Sequence, residues 1–117
     1  MRNLNYLNKY RVIHPLWGVG DEKNGAFMLP PEITGSDLPI AVIASNGGGW
    51  DHVSVSTSKR IPTWEEMQRV KELFFEDDEV VIQIHPAKND YVNFHPYCLH
   101  LWRPQNHEIP LPDVMMV

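Results

Sequence analysis

The chain has a single cysteine, Cys98. No disulfide can form within it, and a reducing compartment is expected. Long apolar runs are missing as well: nothing approaches the about 20 residues that a membrane span needs. The opening Met1-Arg2-Asn3-Leu4-Asn5-Tyr6 has no apolar core of the kind a secretory leader carries, so a cytosolic protein is expected. Cations are in short supply, with Lys and Arg numbering 10 against 15 Asp and Glu, for a formal net charge of −5. That balance argues against bulk binding to a nucleic-acid backbone, which calls for a basic face. The one basic patch, Ser58-Lys59-Arg60, is too small to reverse it. There is no internal repeat, and no histidine or cysteine has a tight His-x-x-x-His or Cys-x-x-Cys partner.

What is there suits a globular fold. Hydrophobic residues make up 43% of the 117 residues and charged residues 21%. One domain over residues 1–117 with one core is expected. Ten prolines punctuate a chain of short elements. Residues 1–24 supply apolar mass without a clean period and read as an N-terminal arm, with room for one helical turn. Residues 105–117 read as a tail whose apolar end, Val114-Met115-Met116-Val117, suits a second subunit and hence a homo-oligomer.

The one long helix is expected over Pro62–Phe75. Thr63 and Glu66 form a capping box, in which each side chain satisfies the other residue's N–H. Trp64, Met67, Val70 and Phe74, with Leu73 beside them, make an apolar stripe that needs a sheet to lie on. Glu65 and Arg69 are spaced for an i,i+4 ion pair on the outer side. The strands follow from alternation and from their stops. They are a short one at Gly25–Leu29 ended by Pro30-Pro31, then Pro39–Ala44, Trp50–Thr57, Glu79–His85 and Tyr97–Arg103. Glu32–Leu38 reads as a loop. Ser45–Gly49 reads as a hairpin turn, because a phosphate cradle would have a helix after it, not a strand. The fold class is therefore α+β: a mixed, mostly antiparallel sheet of about five strands with one main helix packed on one face.

The alternation also sorts the faces. If Val53/Val55, Val80/Ile82/Ile84 and Leu99/Leu101 face the helix, the other side carries His52, Ser54, Ser56, Gln83, His85, Cys98, His100 and Trp102. Three readings of that side stand next to each other. His52, His85 and His100 are a candidate divalent-metal set, zinc above all, with one position left for water. His52 and His100 are a candidate acid and base for a phosphate ester. Or the face binds a small ligand, with Trp50 and Trp102 stacking a ring, the histidines, Ser54 and Gln83 making polar contacts, and Arg103 meeting an anion. The plain alternative is that the histidines are half-buried and bond locally. His95 and His107 sit in loops as spare ligands, and His14 is as readily a surface residue as a further ligand. Asp51 and Asp90 are placed to orient a histidine, though both residue types are common at turns and edges. His52-Val53-Ser54 resembles half of the two-histidine phosphoesterase signature; its other half would be His100-Leu101-Trp102, which lacks the hydroxyl. Cys98 lies mid-strand without an activating signature and reads as a small packed residue.

Three blocks carry a resemblance. They are Gly49-Trp50-Asp51-His52-Val53-Ser54-Val55-Ser56, Pro62-Thr63-Trp64-Glu65-Glu66-Met67, and His95-Pro96-Tyr97-Cys98-Leu99-His100-Leu101-Trp102-Arg103-Pro104. With the opening Met1–Asn8, they resemble a family of small uncharacterised bacteriophage and prophage proteins, a domain of unknown function. The resemblance implies a phage or prophage origin and a setting in the host cytoplasm, and it brings no catalytic residues. The first expectation is a phage accessory protein that binds a small ligand, a nucleotide or other phosphate compound, on the open sheet face. The second is a histidine-based hydrolase, with or without metal. The third is an inhibitor that binds a host protein through the acidic surface and the apolar tail.

Overall fold

A computed structural model describes residues 3–15, 17–47, 49–75, 81–84 and 97–104. Of Gly47, residues 81–84, Tyr97 and Pro104 it describes the backbone alone. The acidic run at 76–79, Val80, His85, Asp90, His95, His107 and the tail, all singled out above, lie outside these residues.

Six strands form one sheet. They are β1 (Arg11–Val12), β2 (Gly25–Leu29), β3 (Ile40–Gly47), β4 (Trp50–Thr57), β5 (Val81–Ile84) and β6 (Tyr97–Pro104), in the order β1-β2-β3-β4-β6-β5. Every pairing among them is antiparallel, so the mixed sheet expected from the sequence is not what forms. The reason is topological. The helix that follows β4 carries the chain across to β5, which runs parallel to β4, but β6 returns between the two and pairs antiparallel with both. Parallel neighbours would need a crossover with no strand inserted.

The helix is α2 (Trp64–Phe75), and its start is set as the sequence predicts. The Glu66 N–H donates to Thr63 Oγ1 at 3.2 Å, and the Thr63 N–H donates to Glu66 Oε1 at 2.8 Å. Met67, Val70 and Phe74 are buried against Val42, Val53, Val55, Leu99 and Leu101. Trp64 is a correction: it is 63% exposed. It is the first residue of α2, at the open end of the helix, and Phe75 and Glu66 take the burial instead. Glu66 stands one turn before Val70 on the buried face. Its carboxylate is held there by Arg60, whose Nη1 donates at 2.7 Å and Nη2 at 2.9 Å, and by the hydroxyl of Ser36. These bonds hold the Glu66 pKa at about 2, against the desolvation that opposes them. The expected Glu65–Arg69 pair is also replaced: Arg69 donates to the carbonyl of Ile33 and to Glu72.

The N-terminal segment is more than an arm. A 3-10 helix, Asn5–Tyr10, puts Leu4 and Leu7 into the core, and β1 extends the sheet. The Tyr6 hydroxyl reaches the carbonyl of Leu73 at the end of α2. Arg11 fixes the loop that follows by donating to the carbonyls of Val19, Asp21 and Asn24 and to Asn8 Oδ1. Part of the expected loop after β2 is a single helical turn, α1 (Pro31–Thr34), which Gly35 ends in the left-handed region at φ 68°. β3 runs on to Gly47, so the turn into β4 is tighter than the glycine run suggests.

Candidate functional site

The face of the sheet away from α2 is built by register. In the β4–β6 ladder His52 stands opposite Trp102, Ser54 opposite His100, and Ser56 opposite Cys98. Ser45 of β3 stands opposite His52, and the backbone of Gln83 in β5 opposite His100. His52 and His100 are thus diagonal neighbours, within reach of each other for ring side chains. Their rings lie 4.8 Å apart between centroids, at 26° between planes. His52 Nε2 and His100 Nδ1 are 2.6 Å apart, a hydrogen bond in which one nitrogen carries the proton and the other accepts it.

Aromatic rings continue the cluster on one side. Trp102 packs on His52 with 4.1 Å between ring centroids, and Trp50 meets Trp102 edge-on at 6.0 Å. The indole Nε1–H of Trp102 is buried and has no hydrogen-bond partner among the described residues. That is unusual, since a buried indole N–H ordinarily donates to something.

Polar atoms continue it in both directions. Ser45 Oγ lies 3.5 Å from His52 Nδ1. On the far side His100 Nε2 lies 3.8 Å from Cys98 Sγ, which contacts Ser54 Oγ at 2.7 Å. The sequence Ser45–His52–His100–Cys98–Ser54 is a continuous polar path across three strands. Each imidazole on it can pass a proton by taking one at one nitrogen and releasing one at the other.

Burial governs the charges. Desolvation, with the neighbouring His100 adding to it, lowers the His52 pKa from 6.5 to about 3, so His52 is neutral at physiological pH. Burial pushes the Cys98 thiol up, and hydrogen bonds from Ser54 and the Val55 backbone oppose this only in part. Cys98 is 2% exposed and remains a thiol, as the packed-residue reading has it.

The face is not open along its whole length. Ser54, Ser56 and Cys98 are buried, which corrects the expectation of a uniformly uncovered side; short side chains set between longer neighbours lose solvent first. Trp50, His52, His100 and Trp102 keep partial exposure. Arg103 belongs elsewhere. It shares the alternation of Leu101, on the helix side, and its Nη1 lies 3.4 Å from the buried carboxylate of Asp51. That contact also turns Asp51 away from orienting His52. His14 is buried rather than superficial and stacks on Trp17 at 4.1 Å.

Sequence reasoning missed Ser45. The glycine run makes it read as part of a turn, although it extends the alternation of Ile43 past the strand's apolar run. His85 and the side chain of Gln83 lie outside what is described. Among the described residues, no three His, Cys, Asp or Glu side chains are grouped to hold a metal ion. As arranged, His52 and His100 bond to each other, closer than two ligands about 2 Å from a shared tetrahedral zinc would stand. No described helix is long and apolar enough to cross a membrane.

Fold and site together define an α+β protein with a helix on one side of an antiparallel sheet and paired histidines on the other. The chain belongs to the family described as Domain of unknown function (DUF7694), which matches residues 42–106. That span holds β4, α2, β5 and β6 and all but the first two residues of β3. Comparison with curated proteins and with solved structures gave no match.

Proposed function

We propose that this protein binds a small planar ligand on the outer face of its sheet, through Trp50, His52, His100 and Trp102. The observation that carries this reading is the Trp102 indole N–H, buried with no acceptor among the described residues and set beside three other part-exposed rings. A ligand that stacks on these rings and offers a carbonyl or ring nitrogen would satisfy it once the Trp102 ring turns its buried edge outward. The chemistry favours the base of a nucleotide over its phosphate. His52 is neutral, Arg103 is on the other side with Asp51, and Arg60 is committed to Glu66 and Asp37. A role as a phage or prophage accessory protein in the host cytoplasm is supported by the sequence resemblance alone.

Titration with uridine, followed by tryptophan fluorescence, tests the reading. A saturable change is expected. Trp102→Phe, which keeps a ring but deletes the donor, should weaken it about ten-fold, within the 1–3 kcal/mol that an unsatisfied group is worth. Replacing His52 and Trp102 together should abolish it while the thermal transition persists. Failure of uridine, adenosine and guanosine alike to saturate would remove the reading.

The 2.6 Å contact between His52 and His100 favours a second one, a histidine-based hydrolase using the pair as acid and base. It predicts turnover of a generic phosphoester that is lost in both His52→Asn and His100→Asn. Absence of turnover with and without added zinc would leave binding as the function.

A further inference from the structure

A cleft of about 300 Å³ lies between the N-terminal segment and β3, lined by Trp17, Gly20, Asp21, Asn24, Ser45 and Asn46. None of these is among the four ring residues assigned above. We propose that this cleft is a second binding site, for a small planar cation such as an aromatic amidine or guanidine.

Three features argue for that class. Trp17 is 41% exposed despite its stack on His14, and an indole face is the best aromatic partner for a cation. Asp21 supplies negative charge: the N–H groups of Lys23 and Asn24, together with the Asn24 side chain, keep its carboxyl below the usual range and therefore ionised. Those bonds fall mainly on Oδ1, and among the described residues Oδ2 accepts only from Asn24 Nδ2, at 3.2 Å, which leaves it lone pairs to offer. Third, the described lining has no cation of its own. Arg11 is near enough for its charge to act on the Asp21 carboxylate, but its donors go to backbone carbonyls and Asn8. The cleft is also built rather than incidental. Gly20 has φ 74°, and a Cβ there would stand 2.1 Å from the Asn24 carbonyl oxygen, so the close turn that shapes the wall requires glycine. Asn46 is tied across the cleft by its N–H, which donates to Asn24 Oδ1 at 2.9 Å.

Benzamidine and its neutral isostere benzamide are the probes, read by amide and indole NMR shifts of the intact chain. Benzamidine should shift Trp17, Ser45 and Asn46 saturably. Asp21→Asn retains an Oδ1 to hold the loop but removes the charge, and should weaken binding about five-fold, the scale of an exposed ionic contact. Benzamide should bind the wild type about as weakly. The His52/Trp102 double replacement touches Ser45 through its contact with His52, but should leave the saturable benzamidine shifts at Trp17 and Asn46 intact, which separates this site from the ring cluster. Equal shifts from benzamide and benzamidine, no effect of Asp21→Asn in a chain with an otherwise unchanged spectrum, or no saturable response would each overturn the proposal.

Discussion

At the scale of one residue, His52 sets a pH dependence. In the unfolded chain an imidazole takes up a proton below about pH 6.5; in the folded chain His52 does so only near 3. Acid therefore favours the unfolded state. The stability contributed by a neutral His52 is complete above 6.5 and falls as the pH drops towards 3, by at most about 1.4 kcal/mol per unit. Glu66 acts in the same direction but lower down. Its folded pKa of about 2 gives stability that is complete above the ordinary carboxyl value of 4.5 and is lost as the pH falls towards 2. Between pH 6.5 and 4.5 the slope thus belongs to His52, with His14, also lowered by burial, adding to it. Urea denaturation at pH 7 and pH 5 should show a clear loss in the wild type and a smaller one in His52→Gln. Identical losses would mean that His52 already carries its proton in the fold.

At the scale of the element, α2 shows what periodicity can and cannot say. The capping box was legible because it is a local rule between Thr63 and Glu66. Glu66 forms that box and does more. Its position one turn before Val70 makes it part of the buried stripe, and only the long-range partner Arg60, with Ser36 from the α1 loop, makes a carboxylate tolerable there. No spacing rule announces a partner from outside the helix. The two roles are separable. Thr63→Ala should cost about 1 kcal/mol, the ordinary worth of a cap. Glu66→Gln should cost more, about 2 kcal/mol, because it removes a buried ionic partner, discounted for the solvent that still reaches Arg60. Chemical denaturation of the two variants checks the order. Equal losses would reduce Glu66 to its capping bond.

At the scale of the whole molecule, the side on which each strand residue falls was readable, and the pairing was not. Alternation fixed that Val53, Val55, Leu99 and Leu101 share a side with the helix. It could not say that β6 inserts beside β4, nor that the register would set His52 opposite Trp102 and diagonal to His100. The arm was the other gap, since Leu4 and Leu7 enter the core from a segment with no period at all. A consequence follows for the family segment. Residues 42–106 exclude Phe27 and Leu29 of β2, both buried, and Phe27 meets Phe74 edge-on at 5.4 Å. A chain truncated before Ile40 should lose its cooperative thermal transition, because α2 then covers a sheet with its first two strands missing. Retention of a sharp melt would show that β1 and β2 are an addition to a self-sufficient unit.

β4 and β6 come together only after α2 and β5 have been laid down between them, so the centre of the sheet closes a long loop of chain. Such closures dominate the contact order and slow the folding of small sheets. The hydrogen bond between the two imidazoles consequently forms only where β4 and β6 have already paired. Its NMR signal would report that long-range closure.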